Sequence, residues 1–241
     1  MIDRPNRPFI VTTEQTSSPV SIRVNVLQCK NMSEQLAILQ TVTLQESKTD
    51  WSSFATCSKG SLFCAINGSS LVHEICRTPG AAGAPFKTAA KTHRLPDVIR
   101  YMCGFQCDGE CRLAASFDDY IVRVFRATGD GLCELQLLRA RHADWNPRTL
   151  VGLEGGAFCI GSYFTNPADS KGKYGIELCA ADARGALSTP RQLMQFTNKV
   201  SLWCHLRAPD ASNITPRIVA AEWNEDLGTT TSLRVFCLQQ D

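Results

Sequence analysis

Apolar residues along this chain come in short alternating runs separated by turn-forming residues. SIRVNVLQC, SLFCAI, VIRYMCGF, YIVRVF, AFCIGSYF, YGIELCAA, RIVAAEW and SLRVFCLQ each read as a strand, and polar breaks rich in Gly, Asp, Asn and Pro interrupt them about every eight to twelve positions. Helical spacing is almost nowhere sustained. ELQLLRARHADW at 134–145 is the one stretch that would be helical in isolation, although LQLLR within it also fits an outer strand. Many short strands and few helices predict an all-β fold.

The runs also recur in order: strand, turn, strand, polar break, strand. SSFATCS, Lys59-Gly60, SLFCAI and LVHEIC make one unit. VIRYMCGFQ, Asp108-Gly109, ECRLAAS and YIVRVF make the next, and RTLVGL, Gly155-Gly156, AFCIGS and YGIELC the third. The fourth is VSLWCHL, RIVAAE and SLRVFC. The small residue of each second strand (Ala65, Ala115, Gly161, Ala220) recurs at intervals of 50, 46 and 59 residues. A propeller blade of about 40 to 45 residues carrying insertions has this period. SIRVNVLQC and LAILQTVTLQ supply strands of a fifth blade. The chain is therefore expected to be a single β-propeller domain over 1–241. Residues 1–19 would form an extended N-terminal arm or clasp strand, and PGAAGAPFKTAA at 79–90 a flexible insertion.

Composition narrows the class. A hydrophobic fraction of 44% with 20% charged residues belongs to a globular chain able to bury a core. A net charge of +2 with scattered Lys and Arg gives no basic surface for nucleic acid. No apolar run is long enough for a signal peptide or a membrane span. The expected setting is the cytoplasm, or the nucleus. There the 12 cysteines read as small buried apolar residues, not as a disulfide framework.

RLAASFDDYIVRVF resembles the hallmark of WD-repeat proteins. Leu113, Ala114, Ala115 and Ser116 match the small-residue strand that ends in Ser, Asp119 the turn aspartate, and Val122, Arg123 and Val124 the strand that follows. Phe125 stands where that family has Trp. The resemblance implies a buried hydrogen-bond network of His93, Ser116 and Asp119, left partial because Phe125 has no N–H. It also implies that His142 and Ser162 play the corresponding parts in the next unit. The likeness is best over 91–145. Rings of that family commonly have seven blades and need about 300 residues, so about five blades imply an incomplete or open ring. PFIVTT at 8–13, acting as a clasp, or another chain would close it.

Candidate chemistry is sparse. Cys103, Cys107 and Cys111 are spaced for a metal cluster if they lie in one loop, but zinc sites ordinarily add a second, distant pair. A propeller instead places the Asp108-Gly109 turn between Cys107 and Cys111. His73 and His205 alternate with apolar neighbours, and no G-x-S-x-G elbow is present. RHADWNPR at 141–148 carries Arg141, Trp145 and Arg148, residue types enriched at binding hot spots, in a loop expected between blades. The sequence thus predicts a non-enzymatic protein-interaction scaffold or assembly subunit with protein partners that could complete the ring, and no cofactor. The alternatives are a propeller-borne hydrolase and a metal enzyme built on the three cysteines.

Overall fold

A computed structural model describes residues 9–17, 20–28, 37–45, 52–56, 61–66, 68–76, 78, 86–87, 89–128, 130–139, 145–153, 155–165, 172–182, 184–196, 199–206, 217–224 and 229–237. They form eighteen strands in five antiparallel sheets, each a meander in chain order. Blade 1 holds β1 (Phe9–Ser17), β2 (Val20–Gln28) and β3 (Ala37–Gln45). Blade 2 holds β4 (Ser52–Thr56), β5 (Ser61–Ile66), β6 (Leu71–Cys76) and β7 (Lys91–Arg94). Blade 3 holds β8 (Ile99–Cys107), β9 (Glu110–Phe117), β10 (Val122–Ala127) and β11 (Leu132–Leu138). Blade 4 holds β12 (Asn146–Gly152), β13 (Ala157–Thr165), β14 (Gly172–Ala180) and β15 (Arg191–Phe196). Blade 5 holds β16 (Lys199–Leu206), β17 (Arg217–Asn224) and β18 (Thr229–Cys237). The segment around 134–138 is the outer strand of its blade, not a helix.

The first strands β4, β8, β12 and β16 pack side by side, which places them toward the axis. A Cβ at Gly152 of β12 would lie 1.8 Å from the carbonyl oxygen of Gly104 of β8, so two glycines let neighbouring blades meet backbone to backbone. Crowding near the axis therefore falls on the first strands. The second strands are small for another reason. β9 is buried from Arg112 to Phe117 and β5 from Leu62 to Ile66, because each is covered on both faces. The outer strands β7, β11 and β15 are mostly exposed. The predicted turn at Asp108-Gly109 is a hairpin with positive φ at both positions, 53° and 73°, as a two-residue turn of this kind requires.

Each interface between consecutive blades has its own apolar cluster. Val24, Val42 and Leu44 of blade 1 meet Leu62, Cys64, Ile66 and Ile75 of blade 2. Phe63, Val72 and Leu95 meet Met102, Leu113 and Phe125. Phe105, Cys103 and Val124 meet Phe158, Ile160 and Cys179, and Val151, Ile176 and Phe196 meet Ile218 and Ala220. Among the described residues no such cluster joins blade 5 to blade 1, and the array is an open propeller. The clasp expected from PFIVTT is not made: Phe9 to Thr13 belong to β1, which pairs with β2 from Phe9↔Gln28 onward and adds nothing to blade 5. Most of the 79–90 segment lies outside the described residues, although Phe86 is tied to Gln40 of β3 through both its N–H and its carbonyl.

Candidate functional site

The three cysteines do not form a site. Cys107 pairs with Glu110 and Gln106 with Cys111 across the hairpin, and strand side chains alternate between faces. Cys103 and Cys107 therefore enter the core shared with blade 4, while Cys111 packs on the side of blade 2. Burial pushes the Cys103 and Cys107 thiols up, and Cys159 to about 12, which keeps them protonated and poor metal ligands. Cys111 is disulfide-bonded, so a disulfide stands where only thiols were expected. Among the described residues no group of three His, Cys, Asp or Glu is placed to hold a metal. No helix there is long and apolar enough to cross a membrane.

The network implied by the WD resemblance is replaced by separate pairs. His93 lies on β7, diagonal to Glu74 of β6, and its Nε2 donates to the Glu74 carboxylate at 2.9 Å. Asp119 is satisfied inside its own turn, accepting from the Ile121 N–H at 3.0 Å and from Arg123 at 2.7 Å. Ser116 and Ser162 are buried with hydroxyls that have no hydrogen-bond partner among the described residues. Phe125 is buried edge-on to Phe117, with ring centroids 6.2 Å apart. The physical reason is the register: it delivers His93 to the outer strand of blade 2, and Arg123 reaches Asp119 first. His142 lies outside the described residues, as does Arg141.

Trp145 corrects the reading of the 141–148 loop. It is 3% exposed, and its indole Nε1 donates to Glu177 of β14 at 2.5 Å. A packed Trp cannot anchor a partner from outside. Arg148 is half-buried with its guanidinium over the Tyr163 ring at 5.9 Å. Glu177 itself was missed, because Glu between Ile176 and Leu178 looks like a solvent-facing strand position.

Two surface features bear directly on the enzyme and scaffold readings. A cavity of about 260 Å³ between blades 2 and 3 is lined by Ser61, Phe63, Glu74, Glu110, Cys111, Ala127 and Thr128. Glu74 at its wall is raised by burial, but hydrogen bonds from His93 and Ser61 and the nearby His93 and Lys91 charges bring its carboxyl below the usual value. These bonds occupy the Glu74 carboxylate, and Glu110 across the cavity reaches Arg126 at 3.7 Å. The second feature is the far face of blade 5. Arg234 of β18 turns toward blade 4, over the Phe196 ring at 5.8 Å, so the alternate residues Leu233 and Val235 turn away. They are 60% and 56% exposed, an unusual exposure for two apolar side chains on one strand face.

No family model matches the chain, and no curated protein matches it by sequence. Solved structures do match. The β-propeller domain of Nup133 from Vanderwaltozyma polyspora is 11% identical, over 96% of this chain and 75% of that one, with a TM-score of 0.47. A candidate 6-phosphogluconolactonase from Bacteroides uniformis is 14% identical, over 97% of this chain and 69% of that one, with a TM-score of 0.50. Sqt1 from Saccharomyces cerevisiae is 13% identical, over 76% of this chain and 46% of that one, with a TM-score of 0.40. Likeness at such identities concerns the course of the backbone and carries no chemistry from those proteins to this one.

Proposed function

We propose that this chain is a non-enzymatic, WD-like propeller that serves as an interaction scaffold or subunit of a larger assembly in the cytoplasm or nucleus. The observation that carries the reading is the open array, whose last blade turns Leu233 and Val235 outward. Every interface between consecutive blades elsewhere is closed by an apolar cluster, and the same surface on blade 5 has no cover among the described residues. An apolar sheet face left in that state marks a surface for another protein to cover.

The test is affinity purification of the tagged full-length chain from its own cells, with quantitative mass spectrometry. The expected result is a stable protein partner in near-equal amount, lost when Leu233 and Val235 are both replaced by serine. Recovery of the chain alone would sink the scaffold reading. A hydrolase screen on the same preparation, with His93→Ala and His142→Ala as controls, checks the enzymatic alternative.

A further inference from the structure

The turn between β9 and β10 has an unusual occupant. The Tyr120 N–H donates to the Phe117 carbonyl at 3.1 Å, and the Phe117 N–H to that of Ile121 at 3.2 Å. This geometry puts Tyr120 at φ 59°. Left-handed backbone suits Gly or Asn and is an outlier for a bulky residue. The other described non-glycine residue with positive φ is Asp108, whose type tolerates it within an Asp-Gly turn. Tyr120 gains no compensating burial, being 54% exposed.

Its surroundings are held together by backbone hydrogen bonds. The Asp118 N–H donates to the Val98 carbonyl, the Ile99 N–H to that of Ser69, and the Leu95 N–H to that of Ser70. The turns of blades 2 and 3 and the connection between these blades thus share one end of the array. Arg94 closes β7 at this end, opposite Leu71. Arg139 follows Leu138, which pairs with Val122. The acids there are already engaged: Asp118 with Arg100, Asp119 with Arg123, and Asp97 with the Val98 N–H. Arg94 and Arg139 are exposed and have no ion-pair partner among the described residues. Leu137, which pairs with Arg123, adds a second apolar group that is 42% exposed.

We propose that this outer corner of blades 2 and 3 anchors an acidic peptide segment of a protein partner. An apolar side chain of the peptide packs on Tyr120 and Leu137, and its carboxylates meet Arg94 and Arg139. Tyr and Arg are the residue types that dominate binding energy at interfaces, and charge-assisted pairs with guanidinium supply the preference for acid. The proposal names a contact surface for the scaffold reading and rests on it.

A random-peptide phage library panned on the full chain tests the corner directly. Enriched peptides should carry Asp or Glu around an apolar residue. Their affinity should fall at least about tenfold, about 1.4 kcal/mol, for Tyr120→Gly and for the Arg94→Glu/Arg139→Glu pair. Tyr120→Gly should melt no lower than the wild type, because glycine relieves the strained φ, and Tyr120→Asn serves as a second turn-compatible variant. Binding without peptide selectivity, enrichment of basic peptides, no enrichment, or equal affinity for the variants would each overturn the proposal. The purification above separates the two readings. A partner retained equally by wild type and Tyr120→Gly leaves the scaffold standing and removes this corner, whereas no partner at all removes the scaffold.

Discussion

Blades 3 and 4 and the two terminal blades are built from the same kind of strand but end in different states. The interior blades have four strands each and an apolar cluster on both faces: Phe105 meets Phe158 at 5.1 Å between ring centroids, and Phe117 and Phe125 close the other side of blade 3. Among the described residues, blades 1 and 5 have three strands each and one covered face. Blade 1 presents Arg23, Ile38, Thr41 and Thr43 as exposed residues, and blade 5 presents Leu233, Arg234 and Val235, so each terminal blade leaves apolar surface open. Propeller stability is carried by interfaces between blades more than by any blade alone, so the interior should be self-sufficient and the apolar end should depend on what covers it.

The largest effect expected is in the interior. Phe158→Ala removes a ring with 0% exposure from the interface of blades 3 and 4 and should cost about 3–5 kcal/mol in urea unfolding. A loss under about 1 kcal/mol would break the comparison, since the interface would then carry little of the stability.

The second effect tests the axis. Gly152→Ala puts a methyl group into the Gly104 carbonyl and should cost about 3 kcal/mol, at the upper end of overpacking. Gly109→Ala meets nothing within 4 Å and pays only for φ 73°, about 1 kcal/mol. Equal losses for the two would mean that the inner strands separate freely and that the blades are less tightly joined than described.

The buried Trp145–Glu177 pair comes third. Trp145→Phe leaves the Glu177 carboxylate without its donor, at a cost of about 1–3 kcal/mol. Trp145→Phe in a Glu177→Leu background should cost clearly less, which a double-mutant cycle by thermal melting would measure.

Fourth, and smaller, is a pH effect at the interface of blades 2 and 3. The Glu74 carboxyl lies below its ordinary value of 4.5. A depressed folded-state value contributes stability that is whole above the unfolded value and lost as pH falls through the folded one. The wild type should therefore lose stability below about pH 4.5 more steeply than Glu74→Gln. Parallel acid limbs for the two would remove the His93–Glu74 pair as a stabilising contact.

The legibility of the chain follows the same division between covered and uncovered sheets. Strand runs, turns at Asp108-Gly109 and Gly155-Gly156, and the blade repeat are local, so alternation and turn chemistry disclosed them. Whether Cys107 and Cys111 face each other was open in the sequence, and the register Cys107↔Glu110 puts them on opposite faces. Glu177 and Arg112 were not legible. Both look like the polar half of an alternating strand, yet they are only 7% and 8% exposed, because a strand covered on both faces buries its polar positions as well. His93 was misassigned for a related reason: its partner depends on the register of β7 on β6, which no short motif records. Trp145 looked exposed because its loop is polar, while its own position is set by Glu177, 32 residues further on.

The smallest effect on stability decides most about the comparison. Leu233→Ser and Val235→Ser together should change the unfolding free energy of the isolated chain by no more than about 0.5 kcal/mol per site, as for surface positions away from packed features. The same pair in β8 or β13 would remove core contacts and cost several times that. If the double variant of the isolated chain is instead destabilised like an interior substitution, this face is covered in solution by the chain itself or by a second copy. Sedimentation of the wild type across a concentration range then separates those covers, because only self-association shifts with concentration. If the isolated chain is indifferent but partner recovery collapses, the apolar end of blade 5 is an interface whose other half belongs to a different protein, and the asymmetry between interior and end is the functional feature of the fold.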